Sequence, residues 1–156
     1  MSDVLLLDSG PLGLITQPQR SHEVIAITDW LKNCLGAGVR VMVPAIVYYE
    51  IKRELLRANK TVGIARLDAF VNATPDRYVP LTDDALRFAA ELWAQSRQAG
   101  RPTADAMALD IDVLLAAQAL RIGGRPLIAT TNKKHLSQFI SAEHWTDIEP
   151  NYFRAP

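Results

Sequence analysis

One cysteine, no long apolar run and no surplus of either charge leave this 156-residue chain without several familiar signposts. Cys34 alone cannot close an intramolecular disulfide, so the core and not covalent cross-linking must hold the fold. No stretch approaches the roughly 18 to 20 apolar residues that cross a bilayer. The opening MSDVLLLDSG lacks the basic segment and long apolar stretch of a secretion signal. Together these features predict a cytoplasmic chain with no membrane partner. Basic and acidic residues number 17 each, so no net positive field advertises nucleic acid, and such a partner has to be argued from a site.

What is present is enough apolar material for one good core: 49% of the residues are hydrophobic, and the length is that of a single domain spanning 1–156. Val4 to Leu7 is a short apolar run closed by Asp8, Ser9, Gly10 and Pro11, which predicts a buried strand ending in a turn. From Glu23 to Leu35 apolar residues recur at helical spacing, and Gly36 and Gly38 end that helix before VRVMVP supplies a second strand. Pro44 opens a helix, IVYYEIKRELLRA, in which Ile46, Tyr49 and Leu56 are expected to face inward and Lys52, Arg53 and Arg57 outward. Val62 to Val71 predicts another helix, RYVPL a brief strand, and Thr82 the cap of a long helix reaching about Gln98. An apolar helix from Ile111 to Arg121 and the strand PLIATTN follow. Strands alternating with long helices predict an α/β fold: a three-layer α/β/α sandwich with a mainly parallel central sheet. No repeat or linker divides the chain.

The chemistry lies in the carboxylates. In an open α/β sheet, ligands bind in the crevice outside the carboxyl ends of the strands. Asp8 and Asn132 both stand at such ends, and the helix containing Asp112 must enter from that edge because it runs antiparallel to the strand after it. Acids gathered there repel one another unless a cation intervenes. An oxygen-only donor set favours Mg²⁺ or Mn²⁺ over zinc. The positive N-terminal end of the helix is expected to favour the anion as well.

Four segments in order, LLLDSGPL around Asp8, VYYEI around Glu50, DVLLAAQAL from Asp112 and ATTNKKHL around Asn132, resemble PIN-domain ribonucleases, including the VapC-like toxins of toxin–antitoxin systems. The resemblance runs from residue 4 to about 139. It implies a PIN-like fold, with Asp8, Glu50 and Asp112 as catalytic acids that also hold the metal. Asn132 falls where many relatives carry a further Asp; it keeps an oxygen donor but loses a charge. Ser9 and either Thr130 or Thr131 are implied to orient carboxylates or water. The implied activity is hydrolysis of an RNA phosphodiester by in-line attack of cation-activated water, without a covalent intermediate. The implied partners are an RNA substrate, a small antitoxin whose C-terminal segment lies across the acidic groove, and a second copy of the chain, for which Ile46, Val47 and Tyr48 are the expected contact.

Plainer readings stand beside these. Asp8 can be a turn residue, Glu50 a solvated helix residue, Asp112 structural and Asn132 strand-end turn chemistry. Asp110 reads best as the N-cap of its helix. Asp105 shares a face with Asp112 only if that helix is continuous from it, and is a supporting candidate on that condition. Lys133, Lys134 and His135 are candidates for holding the RNA backbone, or simply an exposed turn. Trp30, Trp93 and Tyr49 fit core or interface positions better than base-stacking platforms. Haloacid-dehalogenase-like phosphatases would place a second Asp where Gly10 stands, and receiver domains an acidic pair where Leu6 and Leu7 stand. The alternative from another class is a PIN-like module that binds RNA or a protein without cutting it.

Overall fold

The computed structural model describes residues 3–100 and 106–153. Five parallel strands form one sheet in the order β3-β2-β1-β4-β5: β1 (Asp3–Leu7), β2 (Arg40–Pro44), β3 (Tyr78–Val79), β4 (Arg125–Thr130) and β5 (Ala142–His144). Around it stand α1 (Ser9–Thr16), α2 (His22–Gly36), α3 (Ala45–Arg57), α4 (Thr61–Asn72), α5 (Asp83–Gln98), α6 (Ala106–Ile122) and the single turn α7 (Lys133–Leu136). This is the three-layer α/β/α architecture that the alternation of elements predicts. Among the described residues no helix is long and apolar enough to cross a membrane.

The central strand explains the leucine run. Val4, Leu5, Leu6 and Leu7 are all fully buried, as a parallel strand covered on both faces requires. From β1 the chain steps through β2 to β3 at one edge, then crosses back by way of α5 and α6 to place β4 on the other side of β1. That reversal creates a switch point between the carboxyl ends of β1 and β4, where such sheets open a crevice.

The alanines of α6 have a packing reason. Ala116, Ala117 and Ala119 are wholly buried, and Ala117 joins Ala89, Leu109 and Val113 in a small cluster between α5 and α6. Small side chains on several sides let α6 approach the sheet and α5 at once. The helix runs about 25 Å against about 20 Å for β4, so it overhangs the strand.

Several expectations need correction. The chain does not turn at Ser9 to Pro11 but enters α1 directly, and Pro11 is tolerated because a first-turn N–H has no helical partner to lose. The helix expected from Ile111 already includes Ala106, so Asp110 is an exposed fifth residue of α6 and not its N-cap. Asp112 is the seventh residue, past the first turn in which the helix dipole acts. Asp105 lies outside the described residues. In α3, Tyr49 and Leu56 are 54% and 56% exposed, because the inward stripe is set by Ile46 and Val47, with Ile51 and Leu55 partly covered beside them. Ile46 and Val47 are therefore spent in the chain's own core and do not serve a dimer contact. Of Trp30, Trp93 and Tyr49, only Trp30 is buried, donating its indole N–H to the carbonyl of Ile148 at 2.7 Å. Strand β5 and the turn α7 carry no clear sequence signal; β5 is three residues long and exists by pairing with β4.

Candidate acidic site

Asp8 follows β1 and caps α1 from an extended backbone (φ −78°, ψ 173°). Its backbone amide donates to the carbonyl of Ala129 at 3.0 Å, tying the end of β1 to β4. Both carboxylate oxygens are engaged: Ser9 N–H donates to Oδ1 at 2.7 Å, and Thr130 Oγ1 donates to Oδ2 at 2.7 Å. Thr130 is fully buried and accepts in turn from the backbone N–H of Asn132 at 2.9 Å. Burial raises the Asp8 pKa above the ordinary carboxylate value, with Thr130 and Ser9 opposing.

Glu50 arrives from the middle of α3. Its Oε2 is buried with no hydrogen-bond partner among the described residues, a costly state for a carboxylate oxygen. Burial and then the charge of Asp8 raise its pKa, while Arg53 and the Ser9 side chain pull it down. Asp112 arrives from α6, and its pKa is pushed up to about 7 by burial, by Asp8 and by Glu50, in that order. Two observations make the three acids one electrostatic unit: Asp112 feels both of the others, and Glu50 feels Asp8.

Proteins do not leave uncompensated buried carboxylates without reason, and a cation is the simplest remedy. The donor set fits one: carboxylate oxygens, an orphaned Glu50 oxygen, and no thiolate. The acids do not form a tight cage, however, since among the described residues no three His, Cys, Asp or Glu side chains converge as closely as preformed ligands would. Mg²⁺ tolerates this better than most ions, because it keeps several waters and binds through one or two carboxylates.

The other expected residues divide. Asn132 stands at the same edge but is exposed, and its side chain makes no hydrogen bond to the acids among the described residues. Thr131 is exposed and packs against Gly10 so closely that a methyl group there would strike its Oγ1 and lie 2.8 Å from its Cγ2. Thr130, not Thr131, is the residue that holds Asp8. Lys133 is paired with Glu143 at 3.0 Å, and Lys134 is exposed. One residue was read only as a backbone contact: His135 on α7 places Nδ1 3.8 Å from Asp112 Oδ2. Its position in the segment right after Asn132 was the available signal.

A cavity of about 860 Å³ opens beside the acids between α1, α3 and α4. Ser9 and Glu50 stand in its wall, Ile51, Leu55 and Val62 make it apolar, and Lys60 adds a lysine.

The chain is a three-layer α/β/α domain, PIN-like in fold, whose switch-point crevice carries three carboxylates. No family model and no curated protein matches the chain. Solved structures do. A chain of VapBC2 from Rickettsia felis, bound to a DNA fragment from its promoter, superposes with TM-score 0.68 at 16% identity, covering 91% of this chain and 98% of that one. FitAcB from Neisseria gonorrhoeae gives TM-score 0.68 at 18% identity, with 93% and 100% coverage. DNA-bound VapBC from Salmonella typhimurium gives 0.62 at 17%, with 93% and 99%. At such identities the likeness is one of fold, and it extends over nearly the full length of each chain.

Proposed function

We propose that the chain is a Mg²⁺- or Mn²⁺-dependent endoribonuclease and the toxin of a toxin–antitoxin pair. The observation that carries this reading is the gathering of buried acids at the crevice: a Glu50 oxygen without a partner among the described residues, beside Asp8 and an Asp112 pushed up to about 7 by burial and by both other acids. These three would hold the cation, with the Asn132 oxygen at the rim. When bound, a divalent ion strengthens water as a nucleophile and neutralises charge developing on the phosphodiester. The protein's own part is placement. Thr130 and the Ser9 amide lock both oxygens of Asp8, so that carboxylate costs no reorganisation when charge shifts beside it. The Glu50 oxygen without a partner among the described residues is left to meet a cation, and a cation would take the place of the proton that burial, Asp8 and Glu50 favour on Asp112.

The apolar cavity adjoining the acids supports a peptide partner. A segment with apolar side chains and a basic one reaching Glu50 and Glu54 would match its lining, as an antitoxin would. A second copy of the chain, in this reading, has to use exposed Tyr49, Leu56 and Tyr78 in place of Ile46 and Val47. A cytoplasmic location accompanies the reading.

A non-cutting PIN-like module is the second reading, favoured by the absence of a tight cage among the described residues and by Lys133 being held on Glu143. Incubating purified protein with a pool of structured and unstructured RNA and Mg²⁺ or Mn²⁺ separates the two. Cleavage abolished by EDTA and by Asp112→Asn is the expected result; folded, partner-free protein that cuts nothing at any metal concentration leaves the binding module.

A further inference from the structure

The acids sit on three different elements, and their relative placement needs a fastening that no acid provides. The ladder between β2 and β3 ends at the pair Pro44 and Val79. The amide that would continue it to the Val79 carbonyl is that of Ala45, which already begins α3, so the Val79 carbonyl runs out of strand partners. The first turn of α3 has the converse problem: its N-cap position is Pro44 and no side chain there caps it.

Gln118 answers both. It lies on α6 with 2% of its surface exposed; its Nε2 donates to the Val79 carbonyl at 3.0 Å and its Oε1 accepts from the Ile46 amide at 3.1 Å. The carboxamide thus stands in for the missing peptide group of the ladder. Ile46 and Glu50 are four residues apart and share a face of α3, while Gln118 and Asp112 belong to the same rigid helix. One buried amide therefore joins the helix that carries Glu50 to the helix that carries Asp112.

We propose that Gln118 is a positioning residue of the acidic site, clamping the first turn of α3 to α6 and so setting Glu50 against Asp112. The part of this that concerns metal rests on the function proposed above; the part that concerns geometry does not. Gln118→Met keeps the length and removes both bonds. Spin labels at Tyr49→Cys and Asp110→Cys, both exposed, report the α3 to α6 separation by pulsed EPR, and Mn²⁺ titration reports the site without calling on catalysis. Ile148→Ala, a remote core variant, controls for loss of stability alone.

The expected result is a broadened or shifted distance distribution in Gln118→Met, unchanged in Ile148→Ala, with Mn²⁺ affinity about 10-fold weaker only in the former. An unaltered distribution, or an altered one with Mn²⁺ affinity intact, overturns the proposal. If the distribution moves while the unmutated protein binds no Mn²⁺, the metal reading fails and the clamp stands. Should Gln118→Met not fold, Gln118→Glu, which keeps the oxygen facing Ile46, is read in the same way.

Discussion

Two faces of α3, two residues apart in sequence, treat charge in opposite ways. On one, Lys52 donates to Asp68 Oδ2 at 2.7 Å while Tyr48 donates its hydroxyl to Asp68 Oδ1 at 2.7 Å. Asp68 is held below the ordinary carboxylate range by its hydrogen bond to Lys52, and Lys52 is held above the ordinary ammonium range by the same bond. On the other face, Glu50 has a buried oxygen with no partner among the described residues and a pKa raised by burial and by Asp8, which Arg53 and Ser9 only partly offset. The first arrangement closes on itself and fastens α3 to α4. The second is unfinished, and what would finish it is a ligand. Strain of that kind is stored where a protein binds something.

The comparison breaks most sharply under neutralisation. If the proposed metal nuclease is right, Asp112→Asn is expected to reduce RNA cleavage by more than about 100-fold, the loss of a ligand that would offset several kcal/mol of developing charge. Yet it should raise the stability of the metal-free protein at pH 8 by an amount on the order of 2–4 kcal/mol, because it removes a carboxylate whose pKa the fold pushes to about 7. Thermal melts in EDTA test this; a lower melting temperature would show the acids to be structurally satisfied.

pH gives the same contrast without mutation. Asp112 holds its proton up to about 7 in the folded chain and releases it near the ordinary Asp value when unfolded. The native state therefore binds more protons across that window, and metal-free stability falls as pH rises through it, flattening above 7. Melting curves from pH 4 to 8 should show this decline in EDTA and its relief by Mn²⁺ at the upper end.

Gly10→Ala probes the seam between α1 and the end of β4. The added methyl collides with Thr131, and because Thr131 Cβ is only 3.2 Å away, rotating its side chain does not relieve the contact. A cost of about 1–3 kcal/mol is expected, with weaker Mn²⁺ binding because Thr130, which orients Asp8, is the next residue. Denaturant melts and Mn²⁺ titration measure the two. Smallest of all, Asp68→Asn should cost no more than about 1 kcal/mol, since its pair with Lys52 is partly solvated, and leave Mn²⁺ affinity unchanged.

Much of this was legible in the order of residues. Val4 to Leu7, the capped start of α5 at Thr82 and the glycines around the end of α2 announce their elements because each signal is local: an apolar run, a hydroxyl before a helix, a residue free to stop one. Asp8 and Asp112 were placed at one edge by the same means, since alternating elements leave few topologies. The start of α6 was misread because nothing near Asp110 marks a boundary, and Asp110 resembles a cap. The inward face of α3 was misread for a related reason: a helix with apolar residues on several sides does not reveal which neighbour will cover which.

The sequence by itself therefore determined the class of fold, and it put Asp8 at a strand end and Asp112 on a helix at that edge, because periodicity and breakers act within a few residues. Tertiary structure alone decided that Thr130 and not Thr131 holds Asp8, that His135 stands beside Asp112, and that Gln118 joins α3 to α6. Those contacts link residues far apart in the chain, and a hydrogen bond forms only where packing of the whole core brings its donor and acceptor within 3 Å or so of each other.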